Sequence, residues 1–243
     1  MSTLVCFALK EEAAPFHKIA AARPGVFTLI VGIGRENAEK SVRSFLTGGA
    51  RTVAVCQDPT SREQLTAGQA RLAGTLAPPD LVLTCGFAGG LNPDLKIGDV
   101  VFELSILHPP SSSFDLPAKL SAAGAKPAKL FCTDRIATTV AEKKALRDET
   151  SADAVEMESA AIQAVCAERG IPCATVRVIS DTADEDLPLD FNALAKPDKS
   201  LHFGKLFLAI ATSPGKIGAL MALQKKTRFA AEQLAGVLGK VIR

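Results

Sequence analysis

The sequence is poor in the residues that most often reveal a particular chemistry. It has no tryptophan, no tyrosine and only three histidines, and its six cysteines form no Cys-x-x-Cys pair. Structural zinc sites and disulfide frameworks need paired ligands at short spacings, so we expect no metal and no disulfide. His17, His108 and His202 lie in unrelated contexts, which argues against a Cys-His nucleophilic pair. Without tyrosine or tryptophan, intrinsic fluorescence would report poorly on ligand binding.

The chain also lacks an excess of one charge and any long apolar run. With 28 basic and 26 acidic side chains the formal net charge is +2, which is too balanced to predict a nucleic-acid or membrane partner. No uncharged apolar stretch approaches the roughly 20 residues that a membrane helix needs, and the first residues lack the basic leader of a secretory signal. Most cysteines lie inside apolar runs, where a free thiol packs as a small hydrophobic residue. These features predict a cytoplasmic protein without a membrane span.

What the sequence does contain is a regular alternation of strand-like and helix-like segments. Its composition, 47% hydrophobic and 22% charged, is typical of a globular protein. The alternation favours one α/β domain over residues 1–243, with a largely parallel central sheet. Residues 108–128 are predicted to form an exposed loop with room for one helical turn, and residues 52–78 have no feature that indicates a function. Strands are predicted at 3–9, 26–31, 52–56, 81–85, 100–107 and 173–179, and helices at 11–22, 35–46, 61–76, 141–148, 157–169 and beyond 200.

The first glycine-rich turn lies between a predicted strand and a predicted helix. Its glycines, Gly32 and Gly34, would let a ligand approach the backbone, and the helix N-terminus at Arg35 favours an anion. A dinucleotide-binding fingerprint would need a third glycine where Asn37 stands, so a Rossmann site is not predicted. A weak anion site at Gly32, Gly34 and Arg35 therefore remains open beside the simpler interpretation, a tight strand-to-helix turn.

The second glycine-rich segment follows the predicted strand 81–85. It begins with Gly86, Phe87 and Ala88 and continues with two further glycines. Open α/β sheets bind ligands at the carboxyl ends of their strands, which is where this bare backbone is expected. A structural turn rarely needs so many glycines, so the segment is interpreted as the floor of a ligand site, with a structural turn as the alternative.

Two carboxylates bracket a methionine in Glu156-Met157-Glu158, at a predicted strand-to-helix junction. One interpretation is that they are acidic residues stabilised by the helix dipole in a first turn. Side-chain directions change across such a junction, so one carboxylate could instead face a pocket while the other faces away. The residues alone do not decide between the two.

Ser180-Asp181 directly follows the predicted strand 173–179. A carboxyl set against apolar neighbours such as Ile179 would be poorly solvated, and would therefore hold a proton that it can donate near neutrality. The alternative is that Asp181 caps a turn. Arg177, inside the apolar strand, requires a carboxylate partner, in a structural ion pair or in a site. Residues 184–186 are expected to form a solvated acidic loop.

Taken together, these segments resemble the purine nucleoside phosphorylase and nucleosidase superfamily. Within it, the nucleosidases of methylthioadenosine and adenosylhomocysteine and the hopanoid-associated phosphorylase-like proteins are the most similar. The matching segments span most of residues 3–186 in the family's order. They are FALKEE, GIGRENA, CGFAGGLNPDLKIGDVV, CTDRIA, AVEMESAAI and VISDTAD.

The resemblance implies a three-layer α/β/α sandwich that cleaves the bond between a nucleobase and ribose. It implies that Asp181 protonates the departing purine and that Glu12 positions an attacking water. It also implies that Glu158 binds the ribose hydroxyls while Met157 packs against the sugar. The resemblance implies no cofactor, and it implies that the protein forms a homodimer. The remaining substrate-binding residues that the resemblance implies are Glu156, Gly86, Phe87, Ala88, Ile136 and Ser180.

Two departures from the family's pattern limit what it implies. Phosphorolytic relatives hold phosphate with an arginine and a serine or threonine at positions that match Thr84 and Phe87, so this chain favours hydrolysis. The nucleosidases stack an aromatic ring on the base from the segment that matches 132–137, where this chain offers Ile136. The alternatives are a phosphate-dependent phosphorylase, a nucleosidase of a lipid-linked adenosyl substrate, and a nucleoside-binding protein without catalysis.

Overall fold

The computed structural model describes residues 2–48, 78–104, 115–194 and 217–242. In these residues the chain alternates between strands and helices, as its sequence pattern predicts. The strands are β1 (Thr3–Phe7), β2 (Val26–Ile30), β3 (Leu81–Gly90), β4 (Val100–Leu104), β5 (Lys126–Pro127), β6 (Leu130–Cys132), β7 (Ala154–Glu156) and β8 (Cys173–Asp181). The helices are α1 (Lys10–Ala20), α2 (Arg35–Leu46), α3 (Leu116–Ala123), α4 (Val140–Thr150), α5 (Ser159–Ala167), α6 (Phe191–Leu194) and α7 (Ile217–Val241).

The strands form one mixed, largely parallel sheet. Its main order is β2-β1-β3-β8-β4-β5, and β7 joins the end of β3 and carries β6 on its other side. The pairs β1–β2, β1–β3 and β3–β8 are parallel, whereas β4 runs antiparallel to β8 and β7 runs antiparallel to β3. The parallel strands therefore end at the same edge of the sheet, which is the edge that carries the candidate site.

Helices cover both faces of the sheet, and the two-residue period of β1 shows how. Val5 and Phe7 pack in a core that contains residues of α1, α3 and α7. Leu4 and Cys6 pack in a second core, with residues of α2 and α5. Burying each large apolar side chain contributes about 1.5–3 kcal/mol. The result is the three-layer α/β/α arrangement that the resemblance implies.

The two central strands are longer than the sequence pattern predicts, and this places the site residues. β3 continues through Gly86, Phe87 and Ala88 to Gly90, so the glycine-rich segment is part of the strand and not a turn after it. Because β8 on one side and β1, then β7, on the other supply its backbone hydrogen bonds, this segment stays extended despite its glycines. Likewise β8 includes Asp181, which pairs with Gly89 after a one-residue shift in register.

The prediction of an exposed loop over 108–128 is wrong where the structure describes it. Leu116–Ala123 forms α3, whose first turn is capped by Asp115, since its carboxylate accepts from the backbone N–H of Ala118 at 3.1 Å. Leu116 and Leu120 are buried in the core, and this long-range packing outweighs a local composition typical of loops. The helix predicted from Met157 begins at Ser159 instead.

Several predictions lie outside the described residues. These are the strand at 52–56, the helix at 61–76 and the first part of the C-terminal helical region. The extent of the predicted single domain over 1–243 also stays a prediction. Among the helices of the described ranges, none is long and apolar enough to cross a membrane.

Candidate active site

A cavity of about 230 Å³ opens at the carboxyl ends of β1, β3 and β8. Its wall comes from the segments that follow β1 and β2, from the end of β3, from the junction of β7 and α5, and from the end of β8. Of the predicted site residues, these line it: Glu12, Phe87, Ala88, Ile136, Glu156, Met157, Glu158, Ser180 and Asp181. Segments far apart in sequence thus meet in one place.

One wall contains the arginine cluster, which consists of Glu12, Glu156, Glu158 and Arg177. Arg177 is buried in the middle of β8, and its Nη2 donates to Glu156 and, at 3.2 Å, to Thr84 Oγ1. Arg177 Nη1 lies 3.3 Å from Glu158 Oε2. Burial opposes the charge of Arg177, but the surrounding carboxylates outweigh it and raise the pKa of the guanidinium. The arginine of the apolar strand thus has the carboxylate partners that its burial requires.

Glu156 is the member of the cluster that is most tightly bound within the protein. Its carboxylate accepts from the backbone N–H of Ser159 at 2.8 Å, from Ser159 Oγ at 2.5 Å and from the backbone N–H of Glu158 at 3.0 Å. Burial alone would raise its pKa, but Arg177 and these donors outweigh burial and lower it. The carboxylate therefore stays ionised and orients Arg177 and the start of α5.

Glu158 and Glu12 differ from Glu156, because burial is the larger effect on both. Glu158 accepts from the backbone N–H of Gly34 at 2.9 Å, and its pKa is raised by burial. Glu12, in the first turn of α1, accepts from the backbone N–H groups of Phe87 and Leu9, both at 2.9 Å. Burial raises the pKa of Glu12 to about 7. A carboxyl with that pKa can take up or release a proton at neutral pH.

Gly86 allows Glu12 and Arg177 to approach each other across β3. A Cβ atom at this position would lie 2.8 Å from both Arg177 Nη1 and Glu12 Oε1. The residue also has a φ of +149°, which L side chains rarely adopt. Gly86 therefore acts by its lack of a side chain rather than by lining the cavity.

Asp181 lines another wall of the cavity and pairs with Lys143 outside it, and these two residues form the lysine pair. Asp181 is 6% exposed, and its Oδ2 accepts from Ser180 Oγ at 2.8 Å. Its Oδ1 lies 2.5 Å from Lys143 Nζ on α4. The predicted surroundings of Asp181 were therefore incomplete, because α4 brings a buried ammonium against a carboxyl that was expected among apolar groups.

The remaining wall is apolar and holds residues that the sequence analysis missed. Ile136 is fixed through its backbone by Asn192, whose Oδ1 accepts from the Ile136 N–H and whose Nδ2 donates to its carbonyl, both at 2.9 Å. Phe191, the neighbour of Asn192 on α6, lines the cavity and adds an aromatic ring from a segment without any recognised motif. Leu187, Leu223 and Arg135 also line it. The apolar pattern of these segments indicates a core equally well, so no local signal identifies them.

The predicted anion site is not part of this cavity. Gly32 and Gly34 both have positive φ and form a tight turn before α2, and the N–H of Gly34 is bound by Glu158. Arg35 donates to the carbonyl of Cys132 and pairs with Asp134 at 3.3 Å. The groups expected to bind an external anion are thus bound by carboxylates of the protein itself, those of Glu158 and Asp134. Within the described ranges, no group of three or more His, Cys, Asp or Glu side chains is arranged to hold a metal ion.

The architecture is shared with solved nucleosidases and hydrolases. A mixed, largely parallel sheet between two helical layers, with a carboxylate-lined cavity at its carboxyl edge, is the fold of the nucleoside phosphorylases. The 5'-methylthioadenosine/S-adenosylhomocysteine nucleosidase of Neisseria meningitidis, solved with methylthio-immucillin-A, shares the fold with a TM-score of 0.62 at 17% identity, covering 99% of this chain and 98% of that one. The futalosine hydrolase of Helicobacter pylori shares it with a TM-score of 0.56 at 19% identity, covering 98% of this chain and 97% of that one.

Sequence comparisons agree with the fold. Residues 108–211 match the family described as the phosphorylase superfamily. The 5'-methylthioadenosine/S-adenosylhomocysteine nucleosidase of Shewanella halifaxensis is 32% identical over 142 residues, which cover 47% of this chain and 62% of that protein. The chain therefore spans less than two thirds of the curated relatives that it matches. Together these findings confirm the resemblance to the nucleoside phosphorylase and nucleosidase superfamily and the predicted fold class.

Proposed function

We propose that the protein hydrolyses the N-glycosidic bond of a purine nucleoside of the adenosine type. The observation that carries this proposal is the meeting of a protonatable aspartate and an excess of carboxylates in one cavity. Asp181 lines one wall, and Glu12 and Glu158 line the other. Breaking a glycosidic bond needs an acid at the departing base and negative charge near the sugar.

Asp181 is the proton donor in this proposal. A purine leaves poorly as an anion, so the electrons of the bond between the ribose C1′ and the base are accepted more easily when a ring nitrogen is protonated. Protonated Asp181 gives its proton to that nitrogen and becomes a carboxylate. Positioned acids of this kind contribute about 10²–10⁴-fold in rate.

The arginine cluster supports the sugar. The ribose gains positive charge as the bond breaks, and carboxylates beside it stabilise that charge in a site that excludes water. Glu158 is the candidate for binding the ribose hydroxyls, because it lines the cavity and its Oε2 lies 3.3 Å from Arg177 Nη1. Met157, between the two glutamates, lines the cavity and would pack against the sugar.

Glu12 is the proposed general base. A water that attacks C1′ must lose one proton, and Glu12, with a pKa raised to about 7, can accept it. The sum of the steps is a nucleoside plus water giving the free base and the free sugar.

Hydrolysis is favoured over phosphorolysis by the side chains at the positions where relatives hold phosphate. Thr84 is buried and accepts from Arg177 Nη2, so its hydroxyl serves the arginine cluster. Phe87 contributes its backbone N–H to Glu12. Neither residue offers the cationic side chain that phosphate requires.

We also propose that the protein acts in the cytoplasm as a homodimer. Its described cysteines are free thiols, which fits a reducing compartment. The long α7 exposes Met221 and Phe229, two large apolar side chains of the kind that a second copy would cover. Light scattering on the purified protein would measure twice the mass of one chain if the dimer forms and the single mass if it does not.

The decisive test incubates the purified protein with methylthioadenosine, adenosylhomocysteine, adenosine and inosine, each with and without phosphate. We expect release of the free base without phosphate, followed by chromatography, and a preference for the 6-amino nucleosides over inosine. Base release that strictly requires phosphate would make the protein a phosphorylase. Binding of the nucleosides without any turnover would make it a nucleoside-binding protein.

A further inference from the structure

The lysine pair contains a buried ammonium that has no role in the proposed reaction as described above. Lys143 is completely buried and does not line the cavity, so it contacts Asp181 from the side away from a ligand. A buried ammonium is costly unless its charge is paired and its N–H groups are bonded. The contacts of Lys143 must therefore offset the cost of burying its charge.

The ammonium of Lys143 makes two hydrogen bonds to backbone carbonyls and one ion pair with Asp181. Nζ donates to the carbonyl oxygens of Thr182 at 2.7 Å and of Glu185 at 2.9 Å, and lies 2.5 Å from Asp181 Oδ1. The two carbonyls are neutral, so Asp181 is the group that balances its charge. The hydrogen bonds to the two carbonyls are sufficient to fix the loop after β8. The additional contact with Oδ1 fixes the carboxyl of Asp181 itself.

Ser180 completes the arrangement on the other oxygen of Asp181. Its single hydroxyl proton has two acceptors within reach, Asp181 Oδ2 at 2.8 Å and the carbonyl of Ala88 at 3.3 Å. When Oδ2 carries a proton, the hydroxyl can turn to Ala88, and when Oδ2 is ionised it can turn back. Lys143 holds Oδ1 in both cases, which leaves Oδ2 as the oxygen that exchanges the proton.

We propose that Lys143 is a positioning residue for proton donation: it fixes Asp181 through Oδ1 and stabilises the carboxylate that remains after the proton has moved from Oδ2 to the departing base. In this step the Oδ2–H bond breaks, a bond between the proton and a ring nitrogen forms, and Lys143 keeps all three of its protons. The inference rests on the proposed function, because it concerns the acid of that reaction.

A counter-ion of this kind has two opposite effects on rate. It makes the aspartic acid a better donor, because the carboxylate left behind is stabilised. It also opposes the binding of the next proton, because the same positive charge attracts the bare carboxylate. The lysine should therefore help at acid pH and hinder at alkaline pH.

Other charged groups line the cavity with Asp181 or follow it in sequence, and any pH effect must be measured against them. Glu12, Arg135, Glu156 and Glu158 line the cavity, and Arg177 lies on β8. Asp184 and Glu185 lie in the following loop, where Lys226 of α7 pairs with Glu185. Replacing Lys143 leaves all of them in place, so a difference between variant and wild type reports on Lys143.

The kinetic test compares Lys143→Met with wild type over a range of pH, using the nucleoside that wild type cleaves best. At acid pH we expect kcat of the variant to be about tenfold lower, with little change in KM. The alkaline limb of its profile should lie at higher pH, because the positive charge beside the carboxyl is gone, so that the two profiles cross. A merely structural role would lower the whole profile by one factor without moving its limb.

The matched control is Lys144→Met, because Lys144 is the next residue on α4, is 73% exposed and pairs with Asp148 on the surface. We expect its profile to coincide with that of wild type. Parallel profiles for Lys143→Met and wild type, or an unchanged kcat, would overturn the positioning role while leaving the hydrolase in place.

A second measurement does not depend on activity. Urea unfolding of Lys143→Met, Asp181→Asn and the double variant forms a double-mutant cycle. We expect each single change to lower the urea midpoint and the double change to lower it by less than the sum. Additive midpoints would overturn the pairing itself. A wild type that releases no base from any nucleoside would overturn the proposed function, and the positioning role with it, even with a coupled pair.

Discussion

The two charged walls of the cavity differ in how many cations they provide for each carboxylate. In the arginine cluster, Glu12, Glu156 and Glu158 share the single guanidinium of Arg177. In the lysine pair, Asp181 has the ammonium of Lys143 to itself. The first wall therefore carries an excess of negative charge, and the second is balanced.

This difference assigns the two walls different chemistry. Where carboxylates outnumber cations in a buried site, some of them hold protons more tightly, and the pKa of Glu12 is raised to about 7 by burial. Glu156, which is closest to Arg177, has a lowered pKa. An excess of carboxylate suits a base and a positively charged sugar, whereas a balanced pair suits an acid that must leave a stable carboxylate behind.

The largest expected effect comes from removing the acid. Asp181→Asn keeps the shape of the side chain but cannot supply the proton, so we expect kcat to fall by about 10²–10⁴-fold. Base release at saturating nucleoside measures it. The control is Asp184→Asn, because Asp184 is exposed in the loop after β8 and should leave kcat within about twofold. An active Asp181→Asn would show that the balanced wall does not donate the proton.

Removing the base should have the next largest effect. Glu12→Gln keeps the size of the side chain but cannot accept the proton of water, and we expect kcat to fall by about 10²-fold. Wild-type activity should also decline as the pH falls below about 7, where Glu12 becomes protonated. The exposed neighbour provides the control, since Glu11→Gln should keep both the rate and this acid limb. An acid limb that persists unchanged in Glu12→Gln would contradict the assignment.

The same group gives a stability test of the unbalanced wall. Because the pKa of Glu12 is raised in the folded state from 4.5 to about 7, the folded protein binds more protons than the unfolded chain between these values. Its free energy of unfolding should therefore fall as the pH rises through that window. Urea unfolding at several pH values measures this slope, and Glu12→Gln should make it shallower. An identical slope in wild type and variant would contradict the raised pKa.

Gly86→Ala tests how closely the members of the arginine cluster approach one another. The added Cβ would lie 2.8 Å from Arg177 Nη1 and from Glu12 Oε1, so we expect a loss of about 2 kcal/mol in the free energy of unfolding. In the control, Gly236→Ala on α7, a Cβ meets nothing within 4 Å, and we expect unchanged or slightly higher stability. Equal stabilities for the two variants would show that the close approach does not constrain the cluster.

The smallest expected effect concerns the apolar wall, which lies between the two charged ones. Asn192→Ala removes both hydrogen bonds to the backbone of Ile136. We expect KM to rise by about three- to tenfold with kcat nearly unchanged, because the reacting groups stay in place. Initial rates over a range of nucleoside concentration separate the two constants. A fall in kcat without a rise in KM would assign Asn192 to the chemistry instead.

Much of the site could be predicted from the sequence, because it lies at strand ends that alternation reveals. Glu156-Met157-Glu158 and Ser180-Asp181 follow apolar runs directly, and the sheet brings them into one cavity. The surroundings of the two buried cations, Arg177 and Lys143, were harder to predict. The burial of Arg177 predicts a carboxylate partner but does not identify which carboxylate it is. In α4, the sequence does not distinguish the buried Lys143 from the exposed Lys144. Helix orientation is decided by packing between distant segments.

In the fold, too, local sequence patterns did not predict contacts between distant segments. The parallel core was predicted because its strands are largely apolar, as strands buried on both faces are. The error at α3 arose because a stretch rich in proline, serine and alanine has the local composition of a loop. Its two leucines pack against residues of the core that lie far away in sequence. Phe191 reaches the cavity for a similar reason, since the contact that holds α6 runs through Asn192 to Ile136.

The most direct test of the proposed hydrolysis is to incubate the protein with its nucleoside in water enriched in ¹⁸O, without phosphate, and to examine the sugar by mass spectrometry. We predict free base and a free sugar that carries one ¹⁸O atom at C1′, formed about 10²–10⁴-fold more slowly by Asp181→Asn. A sugar phosphate formed only when phosphate is added, with no labelled free sugar, would contradict the claim that these two walls activate water.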